Sequence, residues 1–435
     1  MTLPHATAER LAQGQQRRKV MRRVEHEQWK PQHAKRDIHA ILRAAENGRI
    51  PALVNLKYER MAASPFGFFR GAVPLMAHDL SLVSNTGIYT QLCGDAHVRN
   101  LGAYAGPDGR LVFDINDFDE TIRGPFEWDV KRLATSILLA GREAGAREST
   151  SRRAVTLCLG QYRQLMLAFS RMPVLEVARY QVHRLRKFAS LSRVLQKAER
   201  ATPLLTLEKL TTLDEKGQRV FKSNPPVLKR VVGKTAVSVL DSLDTYAESL
   251  LHERRHFLAQ YRPIDVAFKV VGTGSVGLRD YCVYMEGNGP NDPLFLQIKE
   301  ETASAYNPYL RHPPARWHQG RRVADGQRAM QLQSDPFLGW TKIADRDYLV
   351  RQLNDHKAAI EVPDLGGAGL AEYAMVCGEM LARGHARAGD ACVIAGYIGR
   401  SARFDNAVLR FATEYANQTE ADRRAFVKRL KQKSR

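Results

Sequence analysis

Two groups of residues in this sequence have the types and spacing for phosphate chemistry. The first is Gly94-Asp95-Ala96-His97-Val98-Arg99-Asn100, followed by Asp114-Ile115-Asn116-Asp117-Phe118-Asp119-Glu120. Both lie at the ends of short apolar runs, residues 88–92 and 111–115, that predict strands with a Gly/Asp/Asn-rich loop between them. Phosphoryl transfer uses side chains of these kinds. An Asp orients the attacking hydroxyl and takes its proton, while an Asn a few residues on and an Asp beyond the next strand hold Mg²⁺ between nucleotide phosphates. An EF-hand calcium loop is excluded: counted from Asp114, the positions that require an oxygen ligand and a glycine are Phe118 and Asp119. A solvated acidic turn is the plainer alternative.

The second group is Gly272-Thr273-Gly274-Ser275-Val276-Gly277. Dinucleotide sites with this spacing run strand, turn, helix. Here β-branched and aromatic runs at 266–271 and 280–285 predict a strand on each side, so the glycines sit at the tip of a hairpin. Backbone amides in such a flap approach ATP phosphates with no side chain in the way. A third predicted strand, 294–299, ends at Lys299, the position of a lysine that grips α- and β-phosphates. The alternative is an ordinary tight hairpin beside an exposed strand-end lysine.

These groups need elements to position them. After Pro125, the residues Val130, Leu133, Ala134, Ile137 and Leu138 recur at helical spacing, with Glu127 and Asp129 in the first turn, where the helix dipole favours acids. Residues 1–60 predict a polar helical arm, with a modest apolar face at Ile38, Ile41 and Leu42. The catalytic-loop segment is 61–146, and within it 64–71 (SPFGFFRG) reads as an aromatic turn whose Arg70 either clamps phosphate or stacks on Phe66 or Phe69. Residues 147–262 predict a helical, basic insert, looser around Asn224-Pro225-Pro226. A small antiparallel sheet unit spans 263–356, including a strand at 348–353. Helices close the chain over 357–435, at about 370–386 and from about 405. The expected class is α+β.

The chain has 435 residues, and its charge is 66 − 46 = +20. A hydrophobic fraction of 44% is enough for large cores and excludes intrinsic disorder. Basic residues gather near the start, between 179 and 234 (Arg179, Arg184, Arg186, Lys187, Arg193, Lys197, Arg200), and from Arg423 onward. They spread around a helix, without zinc-finger spacing, an RNP motif or a basic zipper. A solvated helix is therefore favoured over a nucleic-acid surface. No apolar run approaches the length of a membrane span, and Arg17, Arg18, Lys19, Arg22 and Arg23 precede no apolar leader core. Five scattered cysteines without a CxxC pair fit a reducing cytoplasm.

The segments GDAHVRN, FDINDFDE and GPFEWDVKRLA resemble the catalytic stretch of aminoglycoside-phosphotransferase-type kinases. The resemblance implies Asp95 as catalytic base, Asn100 and Asp117 as Mg²⁺ ligands, Asp119 as an auxiliary acid, and Asp129 as a brace for the catalytic loop. Over nearly the whole chain the sequence is similar to an uncharacterised bacterial family known as domain of unknown function 2252. SPFGFFRG, LCGDAHVRNLG, FDINDFDET, VGTGSVGLR, DPLFLQIKE, LARGHARAGD and AGYIGRS carry that similarity. In kinases the glycine flap and its lysine precede the catalytic loop. Here they follow it, which implies a bilobal kinase-like fold in circularly permuted order. Cys93 stands where the kinase pattern has His, and Arg279 replaces the usual Val after the flap. No Glu lies between Tyr306 and Arg328 to pair with Lys299, which leaves Asp325 for that role.

Three functions are compatible with these patterns. The leading one is an ATP- and Mg²⁺-dependent phosphotransferase acting on a hydroxyl of an anionic or neutral acceptor. It would bind nucleotide through Gly272, Gly274, Ser275, Gly277 and Lys299. The second is a metal-dependent phosphohydrolase built on Asp95 and His97, with His385 from Gly384-His385-Ala386-Arg387 joining them; that stretch also reads as a basic helix C-terminus. The third is a catalytically silent nucleotide-binding module. Gly233-Lys234-Thr235 lacks the earlier glycine of a Walker A loop and is discounted.

Overall fold

The computed structural model describes residues 5–29, 36–181, 188–270, 272–310, 317–353, 356–366 and 369–433. Val271 and the basic residues Arg184, Arg186 and Lys187 lie outside the described residues. The strands are β1 (Tyr89–Leu92), β2 (Leu101–Ala105), β3 (Leu111–Ile115), β4 (Ile122–Pro125), β5 (Thr211–Leu213), β6 (Arg219–Phe221), β7 (Leu228–Val231), β8 (Arg262–Lys269), β9 (Asp280–Glu286), β10 (Pro293–Glu300), β11 (Gly339–Ile343), β12 (Arg346–Gln352) and β13 (Ala358–Ala359). Their pairings are antiparallel, and the class is mixed α+β.

A six-stranded sheet in the order β11-β12-β10-β9-β8-β7 carries the glycine-rich segment. β8 and β9 form the hairpin, with Phe268 opposite Tyr281 just before the glycines. β10 is central and buried along its length. Its alternation sends Leu294, Leu296 and Ile298 into a core with Val239 and Tyr246 of the helix Lys234–Ser249. Phe295, Gln297 and Lys299 therefore share the other face.

Helices form the rest. The helix Glu127–Glu143 is buried along most of its length, in one continuous core with the helices Glu148–Phe169, Gly369–Ala388 and Arg403–Lys433. Close approach sets this packing: a Cβ added at Gly378 would lie 2.2 Å from the Cys158 carbonyl oxygen.

Several sequence expectations change. The span 147–262 is not one helical insert. Its first helix belongs to the main core, the helix Lys234–Ser249 covers the sheet, and β7 joins that sheet as an edge strand. Segments of three or four residues such as β5–β7 are too short for a periodic signal to appear. β11 was not foreseen for a similar reason, since only five residues pair through a tight connection in which Ala344 has φ of 54°. SPFGFFRG is a short helix, Pro65–Gly71, rather than a turn. Ser64 caps it by accepting the Gly67 N–H at 2.9 Å, and Pro65 begins it.

Candidate active site

The chain following β1 turns sharply at Gly94, whose φ is +83°; an added Cβ would lie 2.1 Å from the Glu120 carbonyl oxygen. Only glycine permits this approach, and it brings the Asp95 loop against the acidic loop between β3 and β4. Asp129, in the first turn of its helix, fixes the same loop from below. Its carboxylate accepts the Cys93 and Gly94 N–H groups at 2.8 and 3.0 Å. The Asn100 amide donates to the Asp95 carbonyl oxygen at 2.7 Å. Asn100 thus braces the loop from behind and does not line the cleft.

Asp95 is held on one side. Its Oδ1 accepts from Arg132 Nε at 2.6 Å, and Arg132 is wholly buried, with its guanidinium 4.2 Å above the Phe69 ring. Oδ2 lies 3.5 Å from His97 Nε2. Burial raises the Asp95 carboxyl; Arg132 opposes this and the Asp117 charge reinforces it, leaving the group at about 6. Burial, with Arg70 and Arg132 nearby, pushes His97 well below its usual value, so the ring is neutral. His97 Nδ1 is placed to accept the Arg99 N–H at 3.2 Å and Nε2 to accept from Arg70 Nε at 3.3 Å; a neutral ring accepts at one nitrogen only, so the two contacts are alternatives.

Across from these groups is the end of β10. Lys299 is ion-paired to Asp119, and both face inward. Burial works against the ammonium, but the Asp119 and Asp117 charges outweigh it and raise Lys299. Burial likewise pushes Asp119 up, and the adjacent Lys299 overrides it and holds the carboxyl below its usual range. Asp117 accepts a long contact, 3.4 Å, from the Asp119 N–H. The expected partner Asp325 is instead exposed and pairs with Arg321 and Arg328 on its own helix. That assignment is corrected: Asp119 partners Lys299 because the acidic loop lies directly under β10.

Asp95, His97, Asp117, Asp119, Arg70 and the loop from Gly272 to Ser275 line a single narrow cleft with about 70 Å³ of free space. The N-terminal segment holds the loop over it. Arg49 donates to the Val276 carbonyl at 2.5 Å, Arg60 to the Gly272 carbonyl, and the Ile50 N–H to the Gly277 carbonyl at 2.8 Å. Gly274 has open space: an added Cβ would meet only the Arg70 carbonyl, at 3.6 Å. His385 is elsewhere. It is fully buried, bonded to Tyr162 at 2.8 Å and 3.3 Å from Asp129, so it supports the loop brace and cannot join Asp95 and His97 in the cleft.

The match to a family model covers residues 49–429, and the family is described as an uncharacterized protein conserved in bacteria (DUF2252). The chain belongs to this family. No curated protein and no solved structure matches it. The matched span of this DUF2252 chain contains every cleft residue, from Arg49 to Thr302.

Four residues of the site were not singled out from sequence. Arg132 lies in the GPFEWDVKRLA stretch, where Lys131 and Arg132 are adjacent cations at the start of an apolar helix and nothing local distinguishes the two. Glu301 lines the cleft, and its Oε1, buried, has no hydrogen-bond partner among the described residues. Burial and the Asp119 charge raise it well above the usual carboxyl range. Two residues beyond Lys299, it falls on the lysine's side of the strand by simple alternation. Arg322 ties the acidic loop to the strand end by donating to the carbonyls of Thr121, Asp119 and Thr302 at 2.5, 2.8 and 2.9 Å. Arg49 precedes the helix Pro51–Ala63, in a region that reads as a polar arm. Among the described residues no three His, Cys, Asp or Glu side chains form a ready-made metal cage. Mg²⁺ does not need one, since it commonly takes one or two carboxylates together with substrate phosphates and water. Asp117 and Asp119 fit that requirement.

Proposed function

We propose that this chain is an ATP- and Mg²⁺-dependent phosphotransferase whose kinase-like parts occur in permuted order. The observation that carries the reading is the convergence of Asp95, Asp117, the Asp119–Lys299 pair and the glycine-rich loop on one cleft. Asp117, with Asp119, would hold Mg²⁺, which when bound neutralises phosphate charge. Lys299, already sandwiched between carboxylates, stands ready to exchange Asp119 for phosphate oxygens. The loop from Gly272 to Ser275 covers the cleft and leaves open space at Gly274, where a phosphate could approach the backbone. With Asp95 Oδ1 tied to Arg132, Oδ2 is the oxygen left to accept the proton of an acceptor hydroxyl, and a carboxyl near 6 is ionised at neutral pH yet basic enough to assist. Arg70 places a guanidinium beside the base, which suits an acceptor with an anionic group next to its hydroxyl.

The test is thermal stabilisation by ATP with and without Mg²⁺, on wild type, Asp117→Ala and Lys299→Ala. Ligand at a hundredfold excess over its dissociation constant adds about 2.7 kcal/mol. Wild type should show that stabilisation and both variants should lose it. An absent nucleotide response together with Mn²⁺-dependent phosphatase activity would remove this reading in favour of a phosphohydrolase.

A further inference from the structure

Away from the cleft, a concave pocket of about 440 Å³ collects five basic side chains: Arg193, Lys197, Arg200, Lys209 and Lys357, of which Lys357 is pushed down to about 7 by burial and is only partly charged at neutral pH. Among the described residues no acid lines it, and it shares no lining residue with the cleft. Arg193, Lys197 and Arg200 follow i, i+4, i+7 spacing and occupy one face of the helix Ala189–Arg200, whose opposite face buries Leu191, Val194, Leu195 and Ala198. Lys209 comes from the next helix, Pro203–Leu210, and Lys357 from the residues just before β13. The fold thus brings cations from three segments to one concavity.

None of the five forms an ion pair or side-chain hydrogen bond among the described residues. Other basic residues of the helical body do find partners: Arg142 with Glu148 and Glu420, Arg163 with Asp405, Arg36 with Asp79 and Asp422. Like charges gathered around a concavity, with no counter-charge among the described residues, repel one another and focus a positive potential there, which a bound anion relieves. Leu205 and Leu210 add apolar surface to the same pocket.

We propose that this pocket binds a small molecule carrying two or more phosphate groups. Several cations around a hollow suit clustered negative charge better than a single carboxylate, and the volume suits a metabolite-sized ligand. Among the described residues no aromatic side chain lines the pocket to serve as the stacking platform of single-strand nucleic-acid binders. The sequence expectation of a solvated basic helix is thereby sharpened: one of its faces is assembled into a site. Lys357 also borders a smaller neighbouring pocket with Arg351 and Asn116, the residue before Asp117, so the anion would sit behind the acidic loop.

Calorimetric titration of the full chain with inorganic tripolyphosphate, in EDTA and 150 mM salt as an experimental choice at about physiological ionic strength, tests this. Wild type and Lys299→Ala should bind alike, and the double variant Arg193→Ala/Arg200→Ala should bind about a hundredfold more weakly, roughly tenfold per lost charge-assisted contact. Both substituted arginines are exposed, so the fold should survive, which circular dichroism will verify. Absence of wild-type binding, unchanged binding by the double variant, or loss of binding in Lys299→Ala would overturn the proposal. So would tighter binding of a single-stranded oligonucleotide than of tripolyphosphate, which would assign the surface to nucleic acid.

Discussion

Replacing Asp95 by Asn should stabilise the protein at neutral pH while abolishing its activity. In the folded chain the Asp95 carboxyl sits at about 6, against an ordinary 3.8, because burial and the Asp117 charge together exceed the attraction of Arg132. At 1.36 kcal/mol per pH unit, keeping the carboxylate ionised at pH 7 costs the native state about 3 kcal/mol. An opposing effect has the same size: stripping the partner from a buried cation commonly costs about 3–5 kcal/mol, and Arg132 is wholly buried. What decides the sign is that Arg132's attraction already acts on the carboxyl at about 6, so the ionised form is disfavoured even with the guanidinium beside it. Asparagine resembles the protonated acid, and its oxygen can still accept from Arg132 Nε. The Phe69 carbonyl and ring contacts to Arg132 remain.

The pH dependence carries the same sign. A raised carboxyl contributes stability that is fully present below the unfolded value and is lost as pH rises through the folded one. Urea unfolding from pH 4 to pH 8 should therefore show wild type and Asp95→Asn equally stable near pH 4. The gap should open through about pH 6 and reach about 3 kcal/mol in favour of the variant at pH 7–8. If Asp95→Asn is instead the less stable protein at pH 8, with the deficit growing as pH rises, Arg132 outweighs burial and Asp95 is an ordinary low carboxylate. The case for a base tuned towards neutrality would then fail.

Lys299→Met removes the cation between Asp119 and Asp117 and should lower ATP-dependent turnover by roughly a hundredfold or more, the scale of losing one preorganised electrostatic contact, measured as nucleotide hydrolysis or transfer. That turnover in wild type should rise with pH through about 6 and then level off as Asp95 ionises, a profile readable from kcat/KM. Gly94→Ala meets both a positive φ and the Glu120 carbonyl, and should cost on the order of 3 kcal/mol in urea unfolding. Arg60→Ala frees the Gly272 carbonyl; faster hydrogen exchange across residues 272–277 with little change in global stability should follow, and protection equal to wild type would show that Arg60 does not restrain the loop.

The parts of the site that were legible in the sequence share a physical origin. Gly94, Asp129 and the glycines of the β8–β9 hairpin act locally, through backbone geometry or a helix's first turn, so spacing along the chain reports on them. Glu301 was within reach of the same reasoning, because strand alternation beyond Lys299 turns it towards the cleft. Arg322 and Asp325 show where such reasoning fails. Both lie on the helix Gln319–Met330, yet Arg322 is buried across three carbonyls and Asp325 is exposed between two arginines. Which face of that helix meets the acidic loop depends on contacts with residues about 200 positions away, and no local pattern contains that information. The sheet was underread for the related reason that β7 and β11 are fixed by their neighbours in the ladder more than by their own composition.

The excess positive charge gains a different meaning once each cation is followed to its partners. Arg132 anchors the Asp95 loop, Arg322 the acidic loop, Arg383 is ion-paired to Asp114, and Arg49 and Arg60 hold the glycine-rich hairpin. These guanidinium groups bind carbonyls and carboxylates of the chain itself, a task suited to a planar group with five donors. They are part of the framework that keeps several acids close together, and an external partner would feel little of their charge. Charge available to such a partner includes what folding concentrates and leaves unpaired among the described residues, as on the face formed by Arg193, Lys197, Arg200 and Lys209. Net charge alone therefore overstates this chain's attraction for polyanions in general.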